Sequence, residues 1–336
     1  VKFEHTTLGQ RVLFGTGEAA ANLAAEVERL GARRVLLIAE DAHEVTSKID
    51  VVAHCADVAP HVPVANAERA RAQAASSGAD LLVSVGGGST TGLAKAVALT
   101  TGLPIVAVPT TYAGSEATNV WGLTESARKT TGTDDRVLPV TVIYDAALTE
   151  SLPGDMAIAS GCNALAHCVD SMWAPRTDPI NQALAVEGIR ALSSGLRRIT
   201  TPDGREQTLY GAYLSAVAFA SAGSGLHHKI CHVLGGAYDL PHAATHTAIL
   251  PYVLAFNASA APQAAGRIAE ALGTDLISFY DDIGASHVLR GVPDVAEAAR
   301  LILPSVPPSN PRPVTEDDLT ALLAAAQAGR NPWSRA

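Results

Sequence analysis

Five of the eleven histidines of this 336-residue chain fall between Gly225 and His246, in GLHHKICHVLGGAYDLPHAATH, a stretch almost without charge. His228 and His232 are spaced i,i+4, so on a helix their imidazoles share one face. His242 follows after a Gly-Gly pair, expected to break that helix, and a proline. Asn163 and His167, in SGCNALAHCVDS, repeat the i,i+4 spacing on a second expected helix. The two helices are expected to aim these groups at one cavity. A solitary histidine is ordinarily a satisfied core or surface side chain. Several on weakly polar helices are different, because buried imidazoles need a metal, a ligand or a hydrogen-bond network. Neutral histidine is the commonest metal ligand and also the side chain best matched to proton transfer near neutral pH. Spacing leaves both chemistries open.

A second constellation lies earlier. Gly86-Gly87-Gly88-Ser89-Thr90 follows an apolar run and opens a helical one, where backbone N–H groups and a helix N-terminus can hold a pyrophosphate. It departs from GxGxxG, since Thr91 stands where the last glycine would be, and it lacks the GK[ST] of a P-loop. A tight strand-to-helix turn is the plainer alternative. The run Thr110-Thr111-Tyr112-Ala113-Gly114-Ser115 ends the next strand, with Thr118 just beyond, and offers hydroxyls on the same sheet edge. Two such loops at neighbouring strand ends favour a dinucleotide. Glu40 ends the first strong strand, where a carboxylate accepts from ribose hydroxyls and repels a further phosphate. That favours NAD over NADP, with Asp41 and Glu44 competing for the role.

These groups need elements to position them. The first half alternates β-branched runs with alanine-rich ones, the pattern of a mostly parallel sheet covered by helices. Strands are expected over Arg33 to Glu40, Asp80 to Ser89, Pro104 to Thr111 and Pro139 to Asp145, and helices over Ala19 to Leu30, Ala67 to Ser76 and Thr91 to Thr100. After Leu152-Pro153-Gly154 the strand signal ends. Helices are expected over Asp155 to Met172, Pro179 to Arg197, Glu206 to Ala222, Ala261 to Ala271, Pro293 to Leu303 and Glu316 to Ala328, the last capped by Thr315 with Asp318. The expected architecture is an α/β nucleotide-binding domain over 1–152 and an all-α catalytic domain over 153–336. Ligands ordinarily occupy the cleft between two such halves.

Composition narrows the partners. A net charge of -9 argues against nucleic acid, which needs a basic surface. Hydrophobic residues make up 48% and aromatics only 4%, which suits closely packed helices. The four cysteines show no CxxC spacing and read as buried thiols of a reducing compartment. With neither a leader nor an apolar run of roughly 18 residues, a cytoplasmic protein with no membrane partner is expected.

In their order along nearly the whole chain, GGGST, PTTYAGSEAT, the Asn163/His167 pair, GLHHKICHVLGG with LPHAATH, and NPRPVT resemble the maleylacetate reductases, a branch of the iron-containing alcohol dehydrogenase and dehydroquinate synthase-like superfamily. HHKICHVLGG and PTTYAGSE are the specific segments. The resemblance implies reduction of the conjugated C=C of maleylacetate by NADH or NADPH to give 3-oxoadipate, in the breakdown of aromatic compounds, by a homodimer. In metal-dependent relatives an Asp and three His bind iron or zinc. The matching positions are Asn163, His167, His228 and His242, with His232 one turn beyond His228. The amide removes the only negative ligand, which lowers affinity for a divalent ion, although three histidines suffice for some zinc sites. The resemblance implies activity without metal, so no metal is expected.

The substrate's electronics set the mechanism. Hydride adds to the carbon β to the ketone, and charge develops on an enolate oxygen. His232 is expected as principal acid or oxyanion donor, supported by His242, with His167 and His228 completing the polar cage and Asn163 fixing orientation. A dicarboxylate bound to an acidic protein needs a local cation, for which Lys229 is the candidate, with Tyr112 and Tyr252 as further candidates for pocket lining. The rivals are a metal-dependent alcohol or polyol dehydrogenase of the same superfamily and a dinucleotide-binding sensor without catalysis.

Overall fold

The computed structural model describes residues 2–125 and 128–333. They form two compact units, Leu8–Leu152 and the remainder, residues 2–7 and 153–333.

The first unit contains strands β1 (Arg11–Phe14), β2 (Val35–Ile38), β3 (Val51–Cys55), β4 (Leu81–Gly86), β5 (Ile105–Pro109), β6 (Val120–Glu125), β7 (Arg128–Thr133) and β8 (Thr141–Tyr144), with helices α1 (Ala19–Leu30), α2 (His43–Thr46), α3 (Val64–Ser77) and α4 (Gly88–Thr101). Six strands pair in parallel in the order β1-β8-β5-β4-β2-β3, while β6 and β7 form an antiparallel hairpin. Alternation along β2 divides the core. Leu36 and Ile38 pack with Ala67, Ala70 and Ala74 of α3 and Leu93 and Val97 of α4, whereas Val35 and Leu37 pack with Leu23 of α1 and Val45 of α2. A strand covered on both faces disfavours polar side chains, which is why the central strands read as largely apolar runs, interrupted by Ser84 in β4 and Thr141 in β8. Polar chemistry is left to the strand ends. The chain winds one way from β2 to β3 and the other way from β4 through β5 to β8, so the ends of β2 and β4 flank the switch point where α/β sheets bind ligands.

The expected strand over Asp80 to Ser89 stops earlier, at Gly86, because Gly88 already opens α4. Strands β1 and β3 and the β6–β7 hairpin escaped the sequence reading. β1 and β3 are the two sheet edges, partly exposed and without an unbroken apolar run.

The second unit holds α5 (Gly154–Ser171), α6 (Pro179–Leu196), α7 (Pro202–Ala222), α8 (Leu226–Tyr238), α9 (His242–Ala258), α10 (Pro262–Leu272), α11 (Leu276–Ile283), α12 (Val295–Ile302) and α13 (Glu316–Gln327). The Gly235-Gly236 pair does not break α8, which runs on to Tyr238. The turn comes at Asp239, in the left-handed region at φ 52°, and Pro241 leads into α9. α11 was not expected. Residues 2–7 belong to this unit rather than to the α/β domain, held by His5, whose Nδ1 lies 2.7 Å from Oδ2 of buried Asp178. No helix of the described residues is long and apolar enough to cross a membrane.

The N-terminus of α13 is a reciprocal capping box: the Asp318 N–H donates to Thr315 Oγ1 at 3.1 Å and the Thr315 N–H to Asp318 Oδ2 at 3.0 Å. Thr315→Ala should therefore lower stability by about 1 kcal/mol, read as a lower urea midpoint at unchanged slope. An unchanged midpoint would show that the box adds nothing.

Candidate active site

Three helices of the second unit assemble the imidazoles. α5 carries Asn163 and His167, α8 carries His227, His228 and His232, and α9 carries His242 and His246. The rings form a contiguous stack. His167 and His228 lie parallel with centroids 4.9 Å apart, His246 is 4.7 Å from His228 and 4.3 Å from His242, and His232 is 6.0 Å from His228 and 6.2 Å from His242. Phe219 of α7 packs on His167 and His228 at 4.7 and 4.3 Å. Burial sorts the cluster into two tiers. His167, His227, His228 and His246 are buried with Asn163, whereas His232 and His242 are exposed.

The buried tier is anchored by a residue the sequence reading did not single out. Asp170, wholly buried on α5, accepts through Oδ2 from His228 Nδ1 at 2.7 Å and from the backbone N–H groups of Gly225 and His228 at 3.0 and 3.1 Å. It thus caps the N-terminus of α8, whose own N-cap, Gly225, has no side chain to do so. A Cβ on Gly225 would come within 2.5 Å of the Asp170 carboxylate, so only glycine permits this approach. With Asp170 as acceptor, His228 carries its proton on Nδ1 and presents a lone pair at Nε2, the orientation device known for ring ligands and bases. His227 and His246, also missed, hydrogen-bond ring to ring, Nε2 to Nδ1, at 2.9 Å. Two signals were available: His246 is i+4 from His242, and Asp170 is i+3 from His167.

Burial makes these rings neutral. It lowers His167 and His227 to about 3 and His228 and His246 well below the usual range, with neighbouring imidazoles adding to the effect. The same burial raises Asp170 to about 7, against the backbone donors that hold it down. A histidine depressed on folding stabilises the native state above its unfolded pKa, near 6.5, and loses that contribution as pH falls below it. Asp170 acts in the opposite sense, its contribution present at low pH and lost as pH rises toward 7. Four imidazoles outweigh one carboxyl. Stability should fall on acidification below pH 6.5, at up to about 1.4 kcal/mol per pH unit for each histidine. Urea unfolding at pH 7.5 and 5.5 reads this directly, and His227→Gln should flatten the slope by one proton's worth. Equal midpoints at both pH values would contradict neutral burial.

The expected cofactor residues gather in the first unit. Gly86, at φ +153°, lies against Thr90, whose Oγ1 would be 2.4 Å from a Cβ there. A Cβ on Gly87 would meet Thr111 at 3.1 Å, and one on Gly88 would meet Ala113 at 3.4 Å. The glycine loop and the Thr110–Ser115 loop are therefore in close contact, tied by the Thr110 N–H donating to Gly86 O at 3.0 Å. No side chain caps α4 at Gly87, so its first N–H groups, including that of Ser89, are available to an anion. Glu40 is exposed just beyond the end of β2.

Three expected contacts take other roles. Tyr112 is wholly enclosed and its hydroxyl donates to Thr149 Oγ1 at 3.1 Å, so it packs the α/β core. Tyr252 is buried among α8, α9 and α13 and donates to His287 O. The Thr118 hydroxyl is enclosed between Lys95 Nζ at 3.0 Å and Ser115 O at 3.2 Å, which places it inside the loop rather than toward a ligand. Lys229 is half-buried on α8.

Comparison with known proteins agrees with this architecture. Residues 9–146 match the family described as iron-containing alcohol dehydrogenase, and residues 157–327 match the C-terminal part of the Fe-containing alcohol dehydrogenase family. The chain belongs to the iron-containing alcohol dehydrogenase family. Within the family, a maleylacetate reductase of Sphingobium indicum is 42% identical across 99% of both chains. The crystal structure of maleylacetate reductase from Agrobacterium tumefaciens superposes with a TM-score of 0.94 at 37% identity, covering 99% of this chain and all of that one. An iron-containing alcohol dehydrogenase from Corynebacterium glutamicum is 56% identical, with a TM-score of 0.95 over 99% of this chain and 98% of its own.

Proposed function

We propose that this member of the family reduces the conjugated C=C of maleylacetate to 3-oxoadipate with NADH or NADPH, and that it does so without a catalytic metal. The observation that carries the reading is the two-tier cluster: exposed His232 and His242, near parallel at 21°, above four buried neutral imidazoles and an amide, Asn163. Curated relatives bearing the reductase name support the choice of substrate.

The dinucleotide fits the first unit. Gly86, Gly87 and Gly88 leave backbone open beside an uncapped helix N-terminus, and Thr110, Thr111 and Ser115 border it. Bound there, the nicotinamide supplies hydride to the substrate carbon β to the ketone. Everything after that is proton and charge management by side chains. Exposed imidazoles donate hydrogen bonds to the enolate oxygen and deliver a proton to the α-carbon, work worth 10²- to 10⁴-fold for a positioned acid. His232 is the principal donor and His242 its support, while His167, His228 and Asn163 shape the polar floor beneath them. Lys229 is the nearest cation along α8 for a substrate carboxylate.

The family's metal fits less well. Among the described residues, the one trio of possible ligands with donor atoms all within 4.8 Å is His227, His228 and His246, which leaves out His167 and His242. Two of that trio are already hydrogen-bonded to each other. Asn163 offers a neutral oxygen where metal-dependent relatives have a carboxylate.

The test follows NADH absorbance with freshly generated maleylacetate, with and without a strong chelator. Oxidation that ignores the chelator and falls at least 100-fold in His232→Ala is the expected result. Activity appearing only with added iron or zinc would move the chain to metal-dependent alcohol dehydrogenation, the name its Corynebacterium relative carries.

A further inference from the structure

Outside the histidine cluster, the first unit encloses a charged side chain that the reading above leaves unused. Lys95 lies about two turns into α4 from Gly88 and is 1% exposed. Its Nζ lies 2.6 Å from Ser115 O, 2.8 Å from Thr118 O, 2.9 Å from Val120 O and 3.0 Å from Thr118 Oγ1. Carbonyls only accept, and the Thr118 hydroxyl spends its own proton on Ser115 O, which also accepts from the Thr118 N–H, so in each of the four contacts the nitrogen must be the donor. An ammonium offers these acceptors three protons, with Ser115 O already supplied; a neutral amine offers two and turns a lone pair on the oxygens. Burial pushes the Lys95 ammonium down to about 7 and the Glu116 carboxyl up; Glu116, held by the Tyr144 hydroxyl at 2.8 Å in the same segment, opposes the fall at Lys95 as its counter-charge.

All four acceptors belong to residues 115–120, which continue directly from the Thr110–Ser115 loop. The start of α4 meets the other end of that loop, where Thr111 and Ala113 press on Gly87 and Gly88. One helix therefore fixes the loop at two places, by contact at its N-terminus and by a buried cation about 10 Å further along. We propose that Lys95 is a positioning residue for the cofactor: it clamps the 110–120 segment onto α4 at the separation from the glycine loop that a dinucleotide requires. The ammonium occupies a cage of three carbonyls and a hydroxyl, oxygens that replace a cation's hydration shell. This inference rests on the reading that the glycine loop holds NADH or NADPH.

The clamp acts on binding rather than chemistry, so its removal should divide the kinetic constants. Lys95→Met keeps the length and apolar stem but removes the ammonium from among the four oxygens. Titration of NADH fluorescence should show at least a tenfold weaker Kd. At saturating cofactor, kcat and the KM for maleylacetate should stay within threefold of wild type. A cofactor Kd within twofold of wild type in folded Lys95→Met would overturn the proposal, as would a loss confined to kcat. Should that variant fail to fold, Thr118→Val removes one of the four acceptors, and a cofactor Kd unchanged there would count equally against the clamp. Hydrogen exchange separates the two readings. NADH should slow exchange at residues 115–120 in wild type. Wild type that binds neither dinucleotide overturns the cofactor reading and the clamp together, whereas binding that ignores Lys95 and Thr118 overturns the clamp alone.

Discussion

Four imidazoles buried side by side cannot all be charged, and most of what is distinctive in the helical unit follows from that constraint. Each ring must be neutral, and each neutral ring must present a defined nitrogen. Asp170 sets this for His228 while capping α8, so one carboxylate fixes both the helix that carries three histidines and the ring at its centre. The His227–His246 pair fixes α9 against α8 in the same way. Gly225 is the steric condition for the arrangement, since any side chain there would drive Asp170 out. The polar groups are thus part of the packing of α5, α8 and α9 rather than additions to it.

The α/β unit solves the opposite problem. Its central strands are covered on both faces and carry few polar side chains, so the groups suited to a dinucleotide lie where strands end. Glycine is called for at Gly86 by its φ of +153° and the Thr90 side chain, and at Gly87 by Thr111 of the next loop at 3.1 Å from a Cβ there. That closeness also demands something rigid behind the loop, and a buried ammonium coordinated by backbone carbonyls is rigid in a way that apolar packing is not. Lys95 and Glu116 are charges retained in a core, where an uncompensated charge is strongly unfavourable. Backbone carbonyls and the Thr118 hydroxyl surround Lys95, the Tyr144 hydroxyl meets Glu116, and the two charges oppose each other, which explains how the unit tolerates them.

Much of this was legible in the residues. Periodicity marked most of the long helices, though not α9, together with the central strands and the change of architecture at Pro153, since these elements bury one face or two and state it in their pattern. The edges β1 and β3 were not legible, because partly exposed strands lack that pattern. Gly235-Gly236 looked like a break, yet tertiary packing of α8 overrode the weak helix propensity of glycine. In the site, i,i+4 spacing brought out His228, His232 and the Asn163/His167 pair. It could not reveal Asp170 as the anchor of His228, a contact between helices far apart in sequence. Tyr112, Tyr252 and Thr118 failed as ligand contacts for one reason: residue type suggests what a side chain can do, whereas only burial shows that its hydroxyl is already spent.

Asn163 acquires its meaning from the cluster around it. A carboxylate buried beside neutral imidazoles would raise their pKa values and draw in a cation or a proton to balance the charge. The amide does neither. It leaves Oδ1 without a protein hydrogen-bond partner, so its dipole can meet a polar group of a ligand, and Asp170, bonded to His228, remains the buried acid of the cluster. On the proposed reading, the single change from acid to amide shifts the site away from gripping an ion and toward donating protons to a developing enolate.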